Sequence, residues 1–330
     1  MNIKTADLKK FKLLSSHIKP NGVLPASDCL KFGDGKIIKN AHSAFISYDC
    51  EDSNESVLVD EHGLNSLLSN TPSDFINISM KGKKLIVSDS RDNIPFPTFD
   101  PKEYNAPPDI ESKRKPISPD FLISLGRAAE VCQAYKAPAS LYMFVHIGNK
   151  MMAAGNGFMG VVFPIEEDYN LVIERGVASL ISKHEFSEMS ETQSHYFFYG
   201  DGFTMGFSKQ EIGFSDMGKM MIGGDERTFT IAASDVISFN SLALSLCKDW
   251  SIVTMDNGKF EMTDHRSEYA PTRPAEQIKV PEPFHYNAEN MNLVIKALAA
   301  EALDFYHSPR AYFIKSTETN ATAIIAKMSK

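Results

Sequence analysis

The chain has 330 residues, of which 43% are hydrophobic, 23% charged and 10% aromatic, with a formal net charge of −8. The length exceeds one ordinary core and points to two or three domains, and no run of 18 apolar residues exists to cross a membrane as a helix. The acidic balance excludes a protein that grips DNA through its whole surface, while leaving room for a locally basic face.

The segment MNIKTADLKKFKLL lacks the continuous apolar core of a signal peptide. Four cysteines (Cys29, Cys50, Cys132, Cys247) show no CxxC spacing. That argues against a zinc site and a disulfide framework, so a reducing cytoplasm is the expected location.

In chain order, residues 6–18 read as a helix with Leu8, Phe11, Leu14 and Ile18 on one face and Lys9, Lys10 and Lys12 elsewhere. Residues 60–70 form a second, short helix, apolar at Leu64, Leu67 and Leu68. NISMKGKKLIVSD (77–89) alternates apolar and polar residues around a Lys-Gly-Lys turn, which predicts a hairpin. The stretch 96–116 is rich in proline and charge and reads as a linker. Ser118-Pro119-Asp120 opens a helix to about Tyr135, as an N-cap followed by proline at the first helical position.

A second hairpin, 143–155, turns at Gly148-Asn149. Helix 174–185 and hairpin 195–208, turning at Gly200-Asp201-Gly202, follow. Residues 219–228 form a second linker. Then come a helix from Ser234-Asp235 to about Lys248, a hairpin turning at Asp256-Asn257-Gly258, a helix over 288–303 capped by Asn287, and a hairpin over 311–328. The first, third and fifth helices start about 115 residues apart, and the second, fourth and sixth about 114 apart. Self-similarity at a domain-sized period predicts three modules, each with two helices and two sets of strands.

Gly155, Gly157 and Gly160 make a literal G-x-G-x-x-G. A dinucleotide site needs a helix after the glycines, to present free N–H groups to the pyrophosphate. The sequence that follows, VVFPI, is β-branched and aromatic and ends in Pro164, which a helix interior does not tolerate. The glycines therefore read as a loop between two strands.

The order and spacing of these segments resemble the bacterial sliding clamp, the β subunit of DNA polymerase III, over essentially the whole chain. VLVDEHGLNSLLSNTPSDFINISMKGKKLIVSD and the following RDNIPFPTFDPKEYNAPP are similar to that family's strand, helix, hairpin and exit from its first domain. NKMMAAGNGFMGVVFPI stands where the family has a strand and a Thr-Asp-Gly-His-Arg-Leu loop. FHYNAENMNLVIKALAAEAL resembles the last helix, and ATAIIAKMSK the terminal strand.

The resemblance implies an α+β protein of three clamp-type domains (1–110, 117–222 and 226–330), each with two helices packed on antiparallel sheets. Two chains would close head to tail as a ring-shaped homodimer around duplex DNA. It implies a processivity factor, not an enzyme, that needs no cofactor and takes DNA polymerase and clamp loader as partners. DNA-facing candidates are Lys4, Lys9, Lys10, Lys12, Arg127, Lys136, Arg175, Lys183 and Lys296. An apolar peptide pocket between domains 2 and 3 would involve Gly155, Gly157, Phe158, Met159, Gly160, Ile324, Ala326 and Met328. The sequence departs from the family there: the Thr-Asp and His-Arg pairs are absent, and Lys327 replaces the tail proline.

The cluster Lys113-Arg114-Lys115 reads as a solvated linker. The nine histidines show no HxH or HExxH spacing and no G-x-S-x-G appears, so neither metal nor nucleophilic chemistry is expected. Two alternatives remain: a clamp-fold scaffold that binds proteins without encircling DNA, favoured by neutral helices, and a nucleotide-binding enzyme using the glycine loop.

Overall fold

The computed structural model describes residues 1–18, 26–41, 43–50, 56–108, 113–132, 141–210, 227–247, 251–263 and 269–328. Lys136, part of the two linkers, His42 and His265 fall outside these residues.

The chain begins with β1 (Asn2–Lys4), α1 (Thr5–Ser15), β2 (Cys29–Gly33), β3 (Lys36–Asn40), β4 (Ala44–Asp49), β5 (Val57–Asp60) and α2 (Glu61–Asn70). Then follow β6 (Phe75–Lys81), β7 (Lys84–Ser88) and β8 (Asn93–Pro97). The same order returns as β9 (Lys115–Pro116), α3 (Pro119–Val131), β10 (Phe144–Gly148), β11 (Met151–Gly155), β12 (Met159–Pro164), β13 (Leu171–Glu174), α4 (Arg175–Ile181), β14 (Glu188–Glu191), β15 (His195–Gly200) and β16 (Phe203–Ser208). It returns again as β17 (Arg227–Ala232), α5 (Ala233–Leu246), β18 (Ile252–Asp256), β19 (Lys259–Met262), β20 (Thr272–Pro274), β21 (Phe284–Asn287), α6 (Ala288–Leu298), β22 (Ala302–His307), β23 (Ala311–Ser316) and β24 (Thr322–Ala326). The protein is α+β with antiparallel sheets throughout, as the hairpin signals predict.

Two compact units result: Met1–Ser118 with His184–Lys209, and Pro119–Lys183 with Gln210–Lys330. The first holds a four-stranded sheet, β1-β6-β7-β8, and an eight-stranded sheet, β5-β2-β3-β4-β16-β15-β14-β9. The second holds an eight-stranded sheet, β13-β10-β11-β12-β24-β23-β22-β17, and a four-stranded sheet, β20-β19-β18-β21. Each eight-stranded sheet is two four-stranded sets joined along one ladder, β4 on β16 in one and β12 on β24 in the other. At the first join Gly206 faces Phe45, and a Cβ at Gly206 would stand 2.1 Å from the Phe45 ring, so only glycine admits that ring.

The helices pack in pairs, α1 on α2, α3 on α4 and α5 on α6. Each buries an apolar stripe: Leu8, Phe11 and Leu14 in α1, Phe121 and Leu125 in α3, Met291, Val294, Ile295 and Leu298 in α6. Lys12 donates from Nζ to the Asn65 carbonyl and Ser69 Oγ, tying α1 to α2. Beneath them a buried Lys39 meets Glu61 at 2.7 Å and donates to the Ser15 carbonyl, so its charge and hydrogen bonds are met together.

Several helices end earlier than the sequence reading; α1 stops at Ser15, short of Ile18. The last helix stops at Leu298, because Ala299 takes a left-handed conformation (φ 49°) as its C-cap. Residues 302–307 then form β22, burying Leu303 and Phe305 on alternate positions. Helix α4 likewise ends at Ile181, short of 185.

Candidate functional site

Two features bear on function: the exposed faces of the helices and a cavity at the end of β24.

The lysines predicted to face DNA do not behave alike. Lys4 and Lys9 are exposed on α1 and its N-terminal flank. Lys10 donates to Asp201 Oδ2 at 2.9 Å and lies over the Phe203 ring, and the ammonium holds the Asp201 carboxyl below its ordinary range. Lys12 is spent on α2, as described. In the second unit Arg127 is half-buried and Arg175 donates from Nε to the Ala129 carbonyl, while Lys183 and Lys296 are exposed.

The six described helices together carry six lysines and arginines (Lys9, Lys10, Lys12, Arg127, Arg175, Lys296) and six carboxylates (Asp7, Glu61, Asp120, Glu130, Asp235, Glu289). The exposed residues of α5 are Ser234, Ser238, Ser241 and Ser245, with Asp235 and Leu242 beside them. Helical charge is therefore balanced, and the polar character of α5 comes mainly from hydroxyls. Arg114, read as a solvated linker residue, pairs with Glu188 at 3.3 Å and stacks over Tyr199 at 4.0 Å.

The glycine loop is a strand-to-strand turn, with β12 following it directly. Asn156 organises it: its Oδ1 accepts from the backbone N–H groups of Phe158 and Met159, and Gly157 takes φ +91°. This leaves Phe158 at the tip, 57% exposed. The Phe158 carbonyl accepts from Ala326 N at 2.8 Å, which brings the end of β24 alongside. Met328 N then donates to the His285 carbonyl.

Asn287 caps α6 by accepting from Asn290 N at 2.8 Å, and Asn290 Oδ1 accepts from Asn156 Nδ2 at 3.2 Å. These pieces enclose a cavity of about 210 Å³, with Phe158, Ile325, Ala326 and Met328 on its apolar side and Asn287, Asn290 and Lys327 on its polar side. Asn287 is buried, and its Nδ2 has no hydrogen-bond partner among the described residues. Lys327 turns its ammonium to Glu282 at 2.5 Å and to His307 at 2.9 Å, and it holds the Glu282 carboxyl below its ordinary range.

Of the eight residues predicted for the pocket, Phe158, Ala326 and Met328 line this cavity. Gly155 and Gly160 pair with each other across β11 and β12, Gly157 holds the turn, and Met159 is buried opposite Ile325. Strand alternation puts Ile325 on the cavity and Ile324 on the other face. Sequence reasoning missed Asn287, Asn290 and Ile325, and noted Lys327 only as the replacement of the tail proline. Asn287 was legible as a helix cap, but nothing in the sequence placed that cap beside β24.

The cavity lies below the roughly 300–1,000 Å³ of drug-sized ligand sites. It suits a few side chains of an extended segment better than a whole dinucleotide. Among the described residues no three His, Cys, Asp or Glu side chains converge as a metal site.

No protein-family model and no curated protein matches the sequence. Solved structures do match in fold. A DNA polymerase III β subunit described as putative, from Eubacterium rectale, superposes with a TM-score of 0.83 at 14% identity, covering 100% of this chain and 99% of that one. The DNA polymerase III subunit β of Pseudomonas aeruginosa gives 0.83 at 13% identity, with both chains covered in full. The Helicobacter pylori β clamp bound to a DNA ligase peptide gives 0.81 at 13% identity, again with full coverage. The fold of this chain is that of the sliding clamps.

Proposed function

We propose that this chain is a DNA sliding clamp, a non-catalytic processivity factor that encircles duplex DNA and docks partner peptides. Its three domains would be 1–110, 117–222 and 226–330. The observation that carries the reading is the strand join that occurs twice within the chain. In each join the fourth strand of one repeat, β4 or β12, pairs with the last strand of the next, β16 or β24. Applied once more, the rule asks β20 to pair with β8. Both are edge strands of four-stranded sheets. A second copy supplies the partner for each, and two copies then close head to tail.

The cavity beside Phe158 is the proposed peptide site. Its apolar side would seat the anchors of a short segment, and the unpartnered Asn287 Nδ2 would donate to an acceptor on it. Polymerase and clamp loader are the proposed owners of such segments, and the ligase peptide on the H. pylori protein is a suitable probe.

The balanced charge of the helices favours a second reading, a scaffold with the clamp fold that binds proteins and does not encircle DNA. Retention on nicked circular DNA, before and after linearisation, separates the two. A clamp loaded on circles slides off cut ends. A chain that shows no dependence on topology, while still binding peptide, is the scaffold.

A further inference from the structure

The two edges that would close the ring differ chemically from the joins already made inside the chain. In an antiparallel ladder, alternate residues turn both backbone groups to the same side. At the β4–β16 join, Asp49 N donates to the Gly202 carbonyl and Ser208 N to the Ser43 carbonyl. The join-facing residues are therefore Phe45, Ser47 and Asp49 on β4, and Thr204, Gly206 and Ser208 on β16. Every one of them has an N–H to donate.

The same parity fixes the outward residues of β8. Asp89 N donates to the Asp92 carbonyl at the β7–β8 turn, so Ile94 and Phe96 face β7, and Asn93, Pro95 and Pro97 face outward. On β20, Met262 N donates to the Pro271 carbonyl and Ala275 N to the Gly258 carbonyl. Arg273 therefore faces β19, and Thr272 and Pro274 face outward. Three of these five outward positions are prolines, which have no N–H. Among the described residues no strand pairs with either outer edge.

We propose that the seam between copies of this chain is donor-poor by sequence, so that the ring closes weakly and opens by simple dissociation. The inference rests on the clamp reading, which identifies the partner as a second copy. A seam of β8 on β20 has two strand donors, Asn93 N–H and Thr272 N–H, against six on the β4–β16 join. Proline at an exposed strand edge also guards against unwanted pairing. Here it blunts the edge at β8 and β20 while the internal joins stay intact.

The test is sedimentation over a dilution series for the full chain and three variants. Pro95→Thr with Pro97→Thr restores donors on β8, and Pro274→Thr restores one on β20. Pro72→Thr, an exposed proline outside any strand, is the control. All four replaced prolines are exposed, so no core contact is lost. The wild type is expected to dissociate on dilution through the micromolar range. Each edge variant should dimerise at least about tenfold more tightly, since a restored donor appears at both seams of the ring, and the control should match the wild type.

A wild-type dimer that survives nanomolar dilution, or edge variants with unchanged dissociation, overturns the inference. Topology-dependent retention on DNA in the same samples would leave the clamp reading standing in that case. A chain that is monomeric at every concentration in every variant removes the ring reading itself.

Discussion

If the chain surrounds DNA, its helix faces should hold the duplex with little help from charge. The exposed candidate lysines are Lys4, Lys9, Lys183 and Lys296, and the exposed helix carboxylates are Asp120, Glu130, Asp235 and Glu289. Were all the lysines of two copies to neutralise phosphates unopposed, log K would fall with log salt at a slope of about −7. Affinity would then drop roughly ten-thousandfold between about 50 and 200 mM salt. The matching carboxylates repel the same phosphates and keep counterions in place, so the expected slope is shallower than about −2, or roughly tenfold over that range. Fluorescence anisotropy on a linear duplex, which removes topological retention, reads the slope directly. Replacing Asp235 by Ser, which removes one carboxylate from the serine face of α5, should steepen it slightly. A wild-type slope beyond about −5 would refute the charge-balance argument, because at least five phosphates would then be neutralised.

Gly206→Ala drives a methyl group into the Phe45 ring at the β4–β16 join and should cost about 1–3 kcal/mol, lowering the denaturant midpoint; an unchanged midpoint would mean that the sheet yields there. Phe158→Ala removes an exposed ring and should leave thermal stability alone while weakening a labelled ligase peptide about tenfold or more. Equal peptide binding would remove Phe158 from the site. Burial pushes the Cys132 thiol up to about 12 and the Cys29 thiol to about 11, so both should resist alkylation at neutral pH while the half-buried Cys50 and Cys247 react. The unfolded thiols ionise near 9, so this contribution to stability is complete below that pH and is lost as pH rises through the folded values. Mass spectrometry of alkylated peptides and melting curves from pH 8 upward check the two statements.

The hairpins were legible because local chemistry fixes them. Asp256-Asn257-Gly258 and Gly200-Asp201-Gly202 demand tight turns, and the flanking residues alternate. The helix pairs were legible from periodicity and caps such as Asn287, whose side-chain oxygen accepts from Asn290 N as an N-cap should. The joins were not, because Phe45 meets Gly206 across a long stretch of sequence and no local pattern encodes that partner. The cavity was half legible. Phe158, Ala326 and Met328 were reached through the resemblance to the sliding clamps, but choosing Ile324 over Ile325 was a one-residue slip that strand alternation turns into the wrong face. The engagement of Lys10 by Asp201 and of Lys12 by α2 also lay beyond the sequence, since a lysine on a helix carries no sign of what meets its ammonium.

The β4–β16 ladder also sets a timetable for biosynthesis. Strand β4 is complete at Asp49, but its neighbour is not finished until Ser208. At translation rates of about 5–20 residues per second, the edge of β4, with the buried Phe45 and Ile46 of its interior, waits roughly ten to thirty seconds for its mate. For that interval the nascent chain presents an unpaired, aromatic-bearing strand to every other ribosome product nearby. Slow codons placed before residue 203 would lengthen the exposure, and a trigger-type holdase covering β4 would shorten its hazard. The feature that joins the chain's repeats into continuous sheets is thus also a hazard during synthesis.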